Sequence, residues 1–93
     1  MTGTDERFAE LRRLIEESDR AVVEAVNVRL RLVEELWRLK AERGYDTVDA
    51  GREQQMLAEL EDANPGPLSR DGVRELQQEL LALTKRERAR AAD

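Results

Sequence analysis

The sequence predicts an all-α protein of three helices, long, short and medium, that needs a second copy of itself to be covered. Three observations predict it. Apolar residues recur at Phe8, Leu11, Ile15, Val22, Ala25, Leu32, Leu36 and Leu39, in alternating steps of three and four. A second run at heptad spacing, Val73, Leu76, Leu80 and Leu83, follows the break Asn64-Pro65-Gly66-Pro67. No stretch alternates with the period of a strand. The first pattern, from Phe8 to Lys40, makes a helix roughly 50 Å long, well beyond the diameter of a domain of this size. The rest of a 93-residue chain cannot cover it. An obligate helical dimer is therefore expected.

Taken in order, residues 1–6 are polar and expected to fray, as are residues 89–93. The first helix extends to about Arg43, where Gly44 can supply a left-handed cap. Tyr45–Val48 is a short connection. Asp49 follows as an N-cap, its carboxylate accepting from backbone N–H groups near Arg52. The second helix turns Met56, Leu57 and Leu60 inward and ends near Ala63. Each proline of the break removes a backbone donor and biases the residue before it away from helix. Ser69 then caps a third helix. The whole chain, 1–93, reads as one domain.

Composition narrows the chemistry. Cysteine and histidine are both absent. That removes disulfides, thiol nucleophiles, imidazole bases and the usual zinc sites, so no cofactor or metal is expected. No apolar run near the N-terminus suits a signal peptide or a membrane span, and a cytoplasmic protein is expected. The net charge of −5 argues against nucleic-acid binding, and the Arg-rich tail lacks interleaved aromatics. Most charged residues read as solvated helix surface.

A few do not. Arg29 lies on the apolar seam of the first helix, where a guanidinium is costly unless an anion meets it. Lys40 stands eleven residues on, nearly on the same face and roughly 16 Å along the axis. Arg12, seventeen residues before Arg29, points about 100° away from it. One helix thus offers two cations to one pocket and a third to another. Asp49, Arg52 and Glu53 share a face in the first turn of the second helix. Each of these has a plainer reading too. Lys40 could be an ordinary C-terminal helix cation, and Asp49 with its neighbours a cap plus an exposed ion pair. Thr84 could bond its own i−4 carbonyl, and Trp37 could anchor the contact between copies.

In order and spacing, Leu11-Arg12, Ile15, Asp19, Arg29, Lys40-Ala41-Glu42-Arg43-Gly44 and Asp49-Ala50-Gly51-Arg52-Glu53 resemble the all-helical chorismate mutases. Asn64-Pro65-Gly66-Pro67-Leu68-Ser69 before the third helix is similar to many members, and the resemblance runs from Phe8 to about Arg86. It implies an intertwined six-helix homodimer that converts chorismate to prephenate on the route to phenylalanine and tyrosine. A pericyclic step needs no nucleophile, metal or imidazole, which suits this composition. By matched position, Arg29 would bind a substrate carboxylate with Arg12 of the other protomer, and Lys40 would donate to the ether oxygen. Arg52 would hold the ring side of the dianion, while Glu53 with the Asp49 region would receive the ring hydroxyl. Thr84 stands close to a carboxylate, where Ser is frequent in the family. One turn later, where the family usually carries Gln as a second donor to the ether oxygen, the register offers Arg88, with Glu87 beside it. Glu87 could donate only when protonated, so Arg88 is the expected donor, its register being simpler and the ligand an anion; a frayed Arg-rich tail in which neither reaches is the third alternative. Trp37 replaces a usually small residue and Ser18 a usually aliphatic one. Relatives on this scaffold act on isochorismate or amino-deoxychorismate, and a non-catalytic helical dimer is the alternative of another class. A partner enzyme of the shikimate pathway that completes the pocket is also compatible with the sequence.

Overall fold

The computed structural model describes residues 2–45 and 50–92, apart from the side chain of Thr2. The elements are α1 (Thr2–Arg43), α2 (Ala50–Ala63) and α3 (Arg70–Ala92). The chain divides into two compact units, Met1–Leu36 and Trp37–Asp93, and α1 contributes to both. Helical backbone runs through residues 2–6 and 89–92, the polar stretches expected to fray. Their charges lie in water at no desolvation cost, and i,i+3 pairs stand beside them, Arg7–Glu10 just after the first stretch and Arg90–Glu87 reaching back from the second. No described helix is long and apolar enough to cross a membrane.

The first unit is a single amphipathic helix whose apolar face is open. Phe8, Ile15, Val22 and Leu32 are each 57–60% exposed. On the same helix the half-buried residues are Val26, Arg29, Leu30, Val33, Trp37 and Lys40. That stripe is rotated by about one residue from the expected seam of Ala25, Leu32, Leu36 and Leu39. The seam exists, and its large apolar side chains are exposed.

The second unit begins with the end of α1. Gly44 adopts φ of 71°, and the backbone closes there as a double cap. The N–H of Tyr45 donates to the Lys40 carbonyl at 2.8 Å, and that of Gly44 to the Ala41 carbonyl at 3.3 Å. Open space surrounds the Gly44 Cα, so an added Cβ would meet no neighbour. Gly44→Ala should therefore carry the left-handed backbone penalty alone, about 1 kcal/mol, read as a lower denaturation midpoint with unchanged slope.

α2 packs against α3. Asn64 holds the turn between them from both sides. Its Nδ2 donates to the Leu68 carbonyl at 2.7 Å and its Oδ1 accepts from the Gly66 N–H at 3.1 Å. Ser69 caps α3 as expected, its Oγ accepting from the Gly72 N–H at 3.0 Å. Arg70 then reaches back to the half-buried Glu61 at 2.9 Å, with Arg74 at 3.7 Å from the same carboxylate. The covered side of α3 differs from expectation. Val73, Gln77 and Thr84 are buried while Leu76 is 51% exposed. Leu60 of α2, also expected inward, is 46% exposed. Of the four heptad positions of α3, Val73 is buried and Leu80 and Leu83 are half-buried, so Leu76 alone is open.

Candidate active site

The second unit gathers five of the predicted site residues, Lys40, Arg52, Glu53, Thr84 and Arg88. Lys40 occupies the last turn of α1 and is half-buried. Arg52 and Glu53 open α2, with Arg52 exposed and Glu53 half-buried. The start of α2 is tied to α3 by Gln77, whose Nε2 donates to the Glu53 carbonyl at 3.2 Å. Asp49, the expected N-cap, lies outside the described residues.

On α3 a polar stripe runs along the covered face. Gln77, Thr84 and Arg88 stand seven and four residues apart, within about 20–40° of one another on the helical wheel. Gln77 and Thr84 are 7% and 8% exposed, beside one comparably buried aliphatic, Val73 at 5%. Burying polar groups costs free energy unless each is hydrogen-bonded. Gln77 meets that cost through Glu53. Thr84 donates to the Leu80 carbonyl at 2.6 Å, which is the plainer of its two readings.

Arg88 ends the stripe. Its guanidinium carbon lies 3.9 Å from the centroid of the Trp37 ring. Trp37, read from the sequence as an anchor between copies, carries an arginine of its own chain on its ring. The alternative donor Glu87 is turned to Arg90, at 3.1 Å. Positions 37 and 88, two of the departures from the family pattern noted above, are thus in contact with each other.

The first unit holds the other two cations. Arg29 is half-buried on α1. Arg12 is exposed, and its guanidinium lies 4.5 Å from the centroid of the Phe8 ring, one turn earlier. A shallow open recess there is lined by Asp5, Phe8, Ala9, Arg12, Arg13 and Glu16.

The family model of chorismate mutase type II matches residues 11–89, which takes in every candidate position. The chain belongs to the chorismate mutase type II family. Two solved structures, forms I and II of the chorismate mutase of Thermus thermophilus, are each 35% identical to it with a TM-score of 0.80. Each match covers 84% of this chain, and 98% and 89% of the respective relative. No curated protein matches.

Two contacts of this chorismate mutase family member were not anticipated from its sequence. Gln77 sits between Leu76 and Leu80, where the heptad pattern draws attention to the leucines. Its own signal is an amide spaced seven residues from Thr84. The Trp37–Arg88 stack joins residues 51 positions apart, and no local pattern links them. Trp37 does stand three residues before Lys40, which puts the two side by side on α1.

Proposed function

We propose that the protein is a chorismate mutase, rearranging chorismate to prephenate by binding and electrostatics alone. As the ether C–O bond breaks, a C–C bond forms between the enolpyruvyl methylene and the ring, and negative charge grows on the ether oxygen. Lys40 donates to that oxygen, with Arg88 as the second donor. Arg52 holds the ring side of the dianion, Glu53 with Asp49 receives the ring hydroxyl, and Thr84 lies close to a carboxylate. Arg29 and the partner subunit's Arg12 bind a carboxylate. All of these roles rest on the family pattern, carried over by matched position.

The observation that carries this reading is the buried polar stripe of α3, ending in a cation at the Lys40 end of α1. A chain with so thin a core places Gln77 and Thr84 among its most buried residues. The stripe leads to Arg88, whose cation with that of Lys40 is what an anionic ligand would meet. Conformational restriction of the dianion and fixed donors at the ether oxygen are both established ways to lower a barrier.

The active form in this proposal is a homodimer. Leu32, Leu36, Leu39 and Leu76 are 47–60% exposed in one chain and follow heptad spacing on their helices. A second copy is the occupant that supplies a matching apolar seam.

Loss of chorismate and appearance of prephenate, followed with the purified protein, test the assignment. Isochorismate and amino-deoxychorismate serve as competing substrates in the same assay. Turnover of either in preference to chorismate, or of none, overturns it. Both donors assigned to the ether oxygen are cationic side chains, and a guanidinium keeps its charge throughout the neutral range. The rate should accordingly be nearly flat across neutral and mildly alkaline pH. Activity that fades over this range would instead assign the second donor to a protonated Glu87.

A further inference from the structure

Three arginines crowd the end of α3, and they are used differently. Arg86 lies 3.7 Å from Glu79 and Arg90 lies 3.1 Å from Glu87, so both are turned to carboxylates. Arg88 is turned to a ring, its guanidinium carbon 3.9 Å from the centroid of Trp37. The difference has a chemical consequence. An ion pair consumes N–H donors along the edge of the guanidinium. A stack on an aromatic face leaves all of them in plane and pointing outward.

The platform is also well placed. Trp37 is half-buried whereas Arg88 is exposed, so the ring is the fixed partner and the arginine the one restrained. Lys40 is three residues beyond Trp37, adjacent to it on the surface of α1. The ring therefore holds a second cation on the side of α1 that carries the Lys40 ammonium.

We infer that Trp37 is a positioning residue, whose indole face fixes the Arg88 guanidinium so that its outward N–H donors serve the same ligand atom as Lys40. This rests on the assignment of Lys40 and Arg88 to chorismate made above. An unrestrained arginine on an exposed helical position samples many rotamers, and each one that points elsewhere lowers the fraction of correctly placed donors. Trp37 acts through Arg88 and does not itself touch the reacting atoms.

Two measurements test this. The first is a double-mutant cycle on chorismate turnover with Trp37→Leu, Arg88→Ala and the double variant. Each single variant should lose about tenfold in kcat with KM changed by less than about twofold, and the double variant should be no worse than Arg88→Ala. Trp37→Phe keeps an aromatic face and should stay within about threefold of wild type. Losses that multiply to about a hundredfold in the double variant would make Trp37 independent of Arg88 and overturn the inference, as would an unchanged Trp37→Leu. Should Trp37→Leu fail to fold, Arg88→Lys carries the same question, because lysine keeps the charge without the planar face. Full activity of Arg88→Lys then overturns it. The second measurement needs no turnover. Trp37 is the only tryptophan, so its fluorescence reports the stack directly. Arg88→Ala should shift its emission and raise its quenching by acrylamide, and an unchanged signal means that the stack is absent in solution. If wild type fails to convert chorismate, the functional reading falls and this inference with it. If wild type is active while the cycle is additive, this inference falls alone.

Discussion

Lys40→Ala and Arg12→Ala are each expected to lose about a hundredfold or more in kcat, and a refolded one-to-one mixture of the two to recover activity that neither has. Losing one donor aimed at a developing oxyanion costs about 10²–10³ in kcat, and the proposed function gives Lys40 that role at the ether oxygen. Arg12 enters differently. It lies seventeen residues before Arg29, about 100° away around the helix, and in the single chain its guanidinium rests on Phe8 in an open recess. If it serves the partner's pocket, a heterodimer of the two variants carries both lesions in one pocket and leaves the other whole. Random pairing makes half of the dimers mixed, each with one working site, so the mixture should reach about a quarter of wild-type activity. Recovery has no explanation within a single chain. A mixture as inactive as its parents would return Arg12 to its own protomer. Circular dichroism of both parents, which should match wild type, separates loss of chemistry from loss of fold.

The parts of this molecule that were legible in its sequence are those governed by neighbours along the chain. Gly44 had to end α1 because only glycine readily takes a left-handed turn there, and Ser69 had to begin α3 because its hydroxyl can satisfy the Gly72 N–H. The prolines flanking Gly66 separated α2 from α3 for equally local reasons. Which face each helix covers was less accessible. The heptad positions of α1 and α3 are where the sequence concentrates its leucines, yet Leu32 and Leu76 are open while Gln77 is buried beside Val73. A hydrophobic pattern records the whole of what a helix will touch, a second copy included, and does not apportion it between contacts within a chain and contacts between chains. The candidate site divides the same way. Lys40, Arg52 and Glu53 stood out by spacing and charge, whereas Thr84 and Arg88 were placed in the site by the resemblance to the family. The Gln77 tie and the Trp37 platform did not, because each is a contact between helices distant in sequence.

Unfolding should depend on protein concentration, with the thermal midpoint rising by about 3–5 °C for each tenfold increase. The reason is the open apolar face. Phe8, Ile15, Val22, Leu32, Leu36 and Leu39 are 47–60% exposed along α1 of a single chain. Covering a large aliphatic or aromatic side chain contributes about 1.5–3 kcal/mol, so a seam of six on each of two copies rivals the roughly 5–15 kcal/mol that stabilises an ordinary domain. Folding and association are then one event, and mass action shifts its midpoint. Leu32→Asp separates this from a chain that folds alone. Leu32 is 60% exposed in the single chain, where a polar residue should change stability by no more than about 0.5 kcal/mol. Buried in a two-fold interface, the same substitution places a carboxylate from each copy in an apolar seam. That should cost several kcal/mol per dimer, enough to abolish both association and helicity. Sedimentation and circular dichroism read the two outcomes together. A Leu32→Asp chain that stays helical as a monomer, with a midpoint independent of concentration, would show that one copy of this long helix can stand without the other.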